Sequence, residues 1–192
     1  MKIQPENLTV QESLDIITSM IRQAKGSIRQ SSFYFLLWGW TIVIANLGVY
    51  FLIRFTDVSN PFMMFAITIL AAIISAVYGF RQSRQKPTPP TLFDNIYMWL
   101  WIGFGVNCFI FWIFGQQIGW QLNPVIITLC GVPTLTSGIM LRFRPLVYGG
   151  LAFWVFGSLI FLVDRETQFL LASVAMVVGY LIPGYMLKKS KE

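Results

Sequence analysis

The 192-residue chain is 56% hydrophobic and only 11% charged, with a net charge of +6 and no histidine. A soluble domain carries about 25% charged residues, so a water-facing shell is excluded and lipid must cover the outside. The absent histidine removes the usual general base and the commonest metal ligand, and basic residues scattered between apolar stretches speak for membrane orientation, not for nucleic acid.

The first nine residues, MKIQPENLT, hold neither the apolar core nor the cleavage site of a signal peptide. The first span is therefore expected to act as an uncleaved insertion signal. Thr9 and Glu12 form a capping box. Val10, Leu14, Ile17, Ile21, Ala24 and Ile28 follow at alternating spacings of 4 and 3, one stripe widened by Met20. This predicts an amphipathic helix over residues 9–30, about 33 Å long at 1.5 Å per residue. Arg22, Lys25 and Arg29 stack on one flank, where like charges repel and an external anion would relieve them. The candidate interaction surface is thus Leu14, Ile17, Ile21, Arg22, Lys25, Ile28 and Arg29.

Three readings of that surface compete. In the first and preferred one the helix lies on the bilayer with its basic residues on anionic lipid headgroups, and Gly26, Ser27, Ser31 and Ser32 supply the bend into the membrane. In the second it forms a homo-oligomer, although the coiled-coil seam lasts under three heptads. In the third a cytosolic protein partner docks on it.

A bilayer core of about 30 Å needs roughly 20 apolar residues as a helix. Six stretches qualify, at 33–53, 62–80, 96–114, 125–141, 146–163 and 169–187, and none contains a Lys, Arg, Asp or Glu. The fold class expected is an all-α integral membrane protein: a six-transmembrane-helix bundle over 33–187, preceded by a cytoplasmic amphipathic helix within 1–32 and followed by a basic tail, 188–192. With the N-terminus inside, 12 of the 14 Lys and Arg residues fall on the cytoplasmic side, and only Arg54 and Arg165 lie outside. Both termini are then cytoplasmic. Asn60-Pro61 and Asn123-Pro124 offer helix starts, as does Pro145; Thr91 with Asp94 resembles a capping box. Tyr34, Trp38, Trp40, Tyr97, Trp99, Trp101, Tyr148 and Tyr185 are expected in an aromatic belt on the cytoplasmic side. The 81–90 loop, RQSRQKPTPP, joins orienting charges to a stiff proline run. Shifting the chain by 63 residues aligns Tyr34 with Tyr97, Trp38 with Trp101 and Asn60-Pro61 with Asn123-Pro124, so the first two hairpins resemble each other. Duplication and shared topology explain this equally well.

No ionisable group lies inside a span, which counts against an ion-coupled pump. No nucleophile and base can be assembled, and no phosphate, dinucleotide or zinc motif occurs. No catalytic, metal or cofactor site is therefore assigned, and the chain is read as not an enzyme. Cys108 and Cys130 match no redox or zinc spacing and read as small apolar residues. Pro133 in the fourth span, with Thr134, Thr136 and Ser137, is either a kinked packing helix whose hydroxyls satisfy freed carbonyls or the wall of a small polar cavity. The packing reading is preferred. Asn46 and Asn107 lie at comparable depth and need interhelical or substrate partners. Ala71, Ser75 and Gly79 form a small-residue face suited to the bundle interior or to a homodimer.

Residues 12–40, beginning ESLDIITSMIRQAKGSIRQ and running into SSFYFLLWGW, resemble the start of a group of small uncharacterised bacterial multi-pass, six-helix inner-membrane proteins. Such proteins are often encoded beside a winged-helix regulator. The resemblance implies a bacterial inner-membrane setting and a regulatory association; it carries no catalytic residues. The expected role is regulation, scaffolding or partner binding through the N-terminal helix. The alternative is a small-solute transporter or channel using the kinked fourth helix.

Overall fold

Long apolar runs punctuated by Pro, Asn and Gly give helices joined by short turns, with no strand among the described residues. The computed structural model describes the backbone of residues 10–85, 92–119 and 121–189, and side chains over 31–84, 94–119 and 121–189. Helix α1 spans Val10–Phe55. A 3₁₀ turn, Pro61–Ala66, leads into α2, Ile67–Gln85. Then come α3, Leu92–Ile113; α4, Leu122–Met140; and α5, Arg144–Ile160. The last rod is composite: α6, Arg165–Met176, a π turn at Val177–Leu181, and α7, Ile182–Lys189. The π turn has a local cause. Pro183 has no N–H for the Gly179 carbonyl and its ring crowds that carbonyl, so the helix widens by one residue just before it.

The centre is built from α1, α4, α5 and the α6–α7 rod, with Phe35, Ile127, Leu146, Phe153, Ile160 and Met176 almost wholly buried. Helices α4 and α5 make the closest pair. Their connection is three residues long and closes α4 with a Schellman turn: Phe143 N–H donates to the Gly138 carbonyl at 2.8 Å and Arg142 N–H to Ile139 at 3.1 Å. Arg142 takes the left-handed conformation there, φ 51°, where glycine is usual. Along the pair, a Cβ on Gly150 would stand 2.6 Å from the Leu135 backbone nitrogen, and one on Gly138 2.6 Å from that of Val147. These glycines let two backbones touch, which brings many atoms to the distance where dispersion is strongest.

Helices α2 and α3 stand at the edge. The first leans on α1 and the second on α4, and among the described residues the two do not pack along one another. None of α3's most apolar 18-residue window is buried, and only 6% of α2's. Leu70, Phe80, Trp99 and Phe109 are each at least 60% exposed. Among the described residues, five helices are long and apolar enough to cross a membrane; Arg144–Ile160, at 17 residues, is apolar but shorter.

Several boundaries differ from expectation. The sixth helix starts at Arg165, four residues before its apolar run, whereas the third starts at Leu92, where the Thr91–Asp94 box of the sequence places it. Asp164 caps the sixth, accepting from Thr167 N–H at 3.0 Å and from the Thr167 hydroxyl at 2.8 Å. Asn60 and Asn123 make no cap bond; α4 begins at Leu122, two residues before Pro124. Thr9 and Thr91 lie outside the described residues. The two matched hairpins occupy unlike positions, since α1 and α4 are central while α2 and α3 are peripheral.

Candidate functional site

Two regions bear on function: the N-terminal half of α1 and the polar interior. The backbone of α1 is α-helical without interruption through Gly26, Ser27, Ser31 and Ser32. No break in the helix marks the bend that the membrane-surface reading places there. Forty-six residues at 1.5 Å each make a rod of about 69 Å. Only about 30 Å of that is needed to cross a bilayer core. The side chains of Leu14, Ile17, Ile21, Arg22, Lys25, Ile28 and Arg29 lie outside those described; their positions on the helix follow from register.

The polar interior does not converge as the cavity reading requires. Asn46 is fully buried. Its Nδ2 donates to the Ile42 carbonyl at 2.9 Å and its Oδ1 accepts from Asn123 Nδ2 at 3.0 Å. Asn123, expected as a cap, thus serves as the interhelical partner of Asn46. Asn107 lies on the exposed face of α3, bonded within its own helix to the Gly103 carbonyl at 2.8 Å. The two asparagines of comparable depth therefore face different surroundings. A second amide pair, missed in the sequence, joins Gln168 Nε2 to Gln121 Oε1 at 3.0 Å. Both pairs tie α4 to its neighbours near its N-terminal end.

Pro133 is buried within α4, and Thr134 turns its hydroxyl back on the Cys130 carbonyl at 2.6 Å. Ser137 is fully buried and Thr136 is half-buried. Tyr180, from the π turn, faces Thr134 and the Cys130 thiol and stacks edge-on against Phe153, ring centroids 4.9 Å apart. Among the described buried atoms, Tyr180 Oη, Ser137 Oγ and Trp101 Nε1 have no hydrogen-bond partner. Two open hollows, about 290 and 450 Å³, lie on α2 between Ile73 and Arg84, and no residue of α4 lines them.

No protein-family model, curated protein or solved structure matches the chain. Its function must be argued from its own geometry.

Other residues find structural work. Trp38 Nε1 donates to Ser75 Oγ at 3.1 Å and Tyr34 Oη to the Ser75 carbonyl at 3.3 Å, so the small face of α2 seats on α1. Trp101 packs inward on Phe35 instead of sitting in a belt. Cys108 and Cys130 are free thiols. At the opposite end from Val10, Arg54 pairs with Glu166 at 3.7 Å, both exposed.

Proposed function

We propose that this chain is a six-span integral protein of the bacterial inner membrane with both termini cytoplasmic. It acts without enzymatic chemistry, as a regulatory or scaffolding protein, through the N-terminal half of α1. Membrane placement is supported by inverted exposure. Helices α2 and α3 turn Leu70, Phe80, Trp99 and Phe109 outward, and in water such faces cost about 25 cal/mol per Å². The sixth span is α5. Its 17 helical residues cover about 26 Å, and Phe161–Val163 extend the apolar run toward the bilayer thickness. Backbone contact with α4 holds both at one depth.

The functional reading rests on one observation: α1 runs unbroken from Val10 to Phe55, far longer than a span requires. A projecting amphipathic helix is a means of contact, and nothing about crossing the bilayer requires it. The transporter alternative draws no support from Asn107, which is exposed, or from Thr134, which is bonded within α4.

The test compares the full chain with a variant lacking residues 1–30. The variant is expected to insert and fold while losing its cellular crosslinks and failing to complement the null strain. Unchanged crosslinks and full complementation would end this reading.

A further inference from the structure

Helix α3 turns one face to the rest of the chain. Trp101, Phe104 and Cys108 are half-buried there, and the first two pack on the core. About a third of a turn round the helix runs a second line: Leu100, Gly103, Asn107, Ile110 and Phe114, at spacings of 3, 4, 3 and 4. Phe114 N–H donates to the Ile110 carbonyl at 3.0 Å, so the helical ladder carries through the whole line. Leu100 is half-buried and the other four are exposed. This is the 3–4 spacing of side-by-side helix packing, with a polar residue at its centre. Asn107 is the anomaly. The apolar span runs over Asp94–Ile113, and its middle lies about 5 Å from Asn107 along the axis. Nδ2 donates once, to the Gly103 carbonyl of its own helix at 2.8 Å; the second N–H and Oδ1 have no partner. At that depth lipid offers only hydrocarbon, and the headgroups begin about 10 Å further out. An amide left there without bonds is strongly disfavoured.

We propose that this flank of α3 is a homodimer interface. The line from Leu100 to Phe114 packs in parallel on the same line of a second copy, and the two Asn107 side chains bond one another across the two-fold axis. The inference rests on the membrane placement above and is independent of the role given to the N-terminal half of α1.

Four observations select a second copy. The first is complementarity of charge within the amide. The partly negative Oδ1 of one Asn107 accepts from the partly positive N–H that the other leaves free, so the residue completes itself. The second is depth. Two copies inserted the same way carry Asn107 at one level, and a two-fold axis along the membrane normal sets residue against identical residue; a single polar pair of this kind fixes the register of an apolar seam. The third is room. A Cβ on Gly103, one turn from Asn107, would meet nothing within 4 Å, and small residues at such a place let helix axes approach to about 8 Å. The fourth is the absence of repulsion. No Lys, Arg, Asp or Glu occurs within 95–141, so a parallel pair brings no like charges together along the line. Helix α2, equally apolar outside, ends in Arg81 and Arg84, which a parallel pairing would set against their own copies.

The test uses the full chain with Cys108→Ser and Cys130→Ser in phosphatidylcholine vesicles. A single cysteine replaces Ile110, in the line, or Phe109, exposed on the other side of α3. Oxidation by copper phenanthroline is expected to link Ile110→Cys into dimers and to leave Phe109→Cys monomeric at the same lipid-to-protein ratio. Energy transfer between labelled copies, read on dilution with lipid, gives the dissociation constant. Asn107→Leu is expected to raise it about tenfold, and Asn107→Gln to recover most of the loss. Asn107 touches no other helix of its own chain, so the unfolding midpoint of the monomer in SDS should not fall in Asn107→Leu. Deletion of residues 1–30 should leave the dimer intact. Equal linking at both cysteines overturns the proposal, as does an unchanged dissociation constant in Asn107→Leu. Linking of Ile110→Cys to a different polypeptide in cell membranes overturns it too, as does loss of the dimer with residues 1–30. If sodium carbonate strips the protein from cell membranes, the membrane placement falls and the dimer with it; a protein that stays in the membrane and is monomeric at every dilution refutes the dimer alone.

Discussion

A methyl group added at Gly150 separates helix propensity from packing. Alanine is favoured over glycine in a helix interior by about 1 kcal/mol, so propensity alone expects every helical glycine here to gain by the change. At Gly150 the new Cβ would stand 2.6 Å from the Leu135 nitrogen and 2.8 Å from its Cα, well inside the 3.4 Å at which ordinary contact begins. Backbone atoms of a packed helix cannot turn away as a side chain can, so α4 and α5 must part by several tenths of an ångström along their tightest line. Overpacking of this kind costs about 1–3 kcal/mol. Gly103, on the exposed face of α3, has nothing within 4 Å. Gly103→Ala should therefore gain about 1 kcal/mol. Gly150→Ala should lose up to about 2 kcal/mol net, leaving the two variants about 1–3 kcal/mol apart. Reversible unfolding in mixed micelles of rising SDS fraction, followed by tryptophan fluorescence, measures both. Equal shifts would show that backbone contact between α4 and α5 does not hold the hairpin.

Other expectations follow from single contacts. A double-mutant cycle of Asn46→Leu and Asn123→Leu should return a coupling of about 0.6 kcal/mol, with about 1.7 as a ceiling; zero coupling in the same unfolding assay would mean that the 3.0 Å bond contributes nothing to the fold. Tyr180→Phe should leave stability unchanged or raise it, because the hydroxyl it removes is buried facing Thr134 and the Cys130 thiol without reaching hydrogen-bond geometry to either; a marked loss would assign Oη a bond to one of those two. The Asp164 carboxyl is held below its ordinary value by the Thr167 backbone N–H and then by the Thr167 hydroxyl. Its folded pKa is thus lower than its unfolded one, so the cap stabilises above about pH 3.9 and is lost as the pH falls through the lowered value. Asp164→Ser keeps a cap without that titration, and its unfolding midpoint should lose this acid-side slope; an unchanged slope would assign it to other carboxylates.

The aromatic and small residues show how far pattern reading reaches. Ala71, Ser75 and Gly79 were legible as a contact face because a four-residue spacing fixes one side of a helix. Their partners, Tyr34 and Trp38, sit on another helix, so no local pattern names them. Asn123 before Pro124 has the form of a cap, yet the amide is used for Asn46. Local chemistry offers both uses, and only the approach of α1 to α4 selects one. Asp164 and Thr167 were a readable cap that the apolar-run criterion passed over. Arg142 in the left-handed turn had no glycine to mark it.

Composition and periodicity determined by themselves that the chain is helical, apolar on its outside and preceded by an amphipathic segment, because those properties depend on spacing along one chain. The tertiary structure decided the rest: α2 and α3 at the margin, Asn107 outside and Asn46 within, and α4 against α5 through backbone contact. It also decided that α1 continues as one helix from Val10 to Phe55, which puts the N-terminal stripe in register with the buried Phe35 face. Each of these depends on what a second helix brings within a few ångströms, and spacing along a single chain does not contain that information.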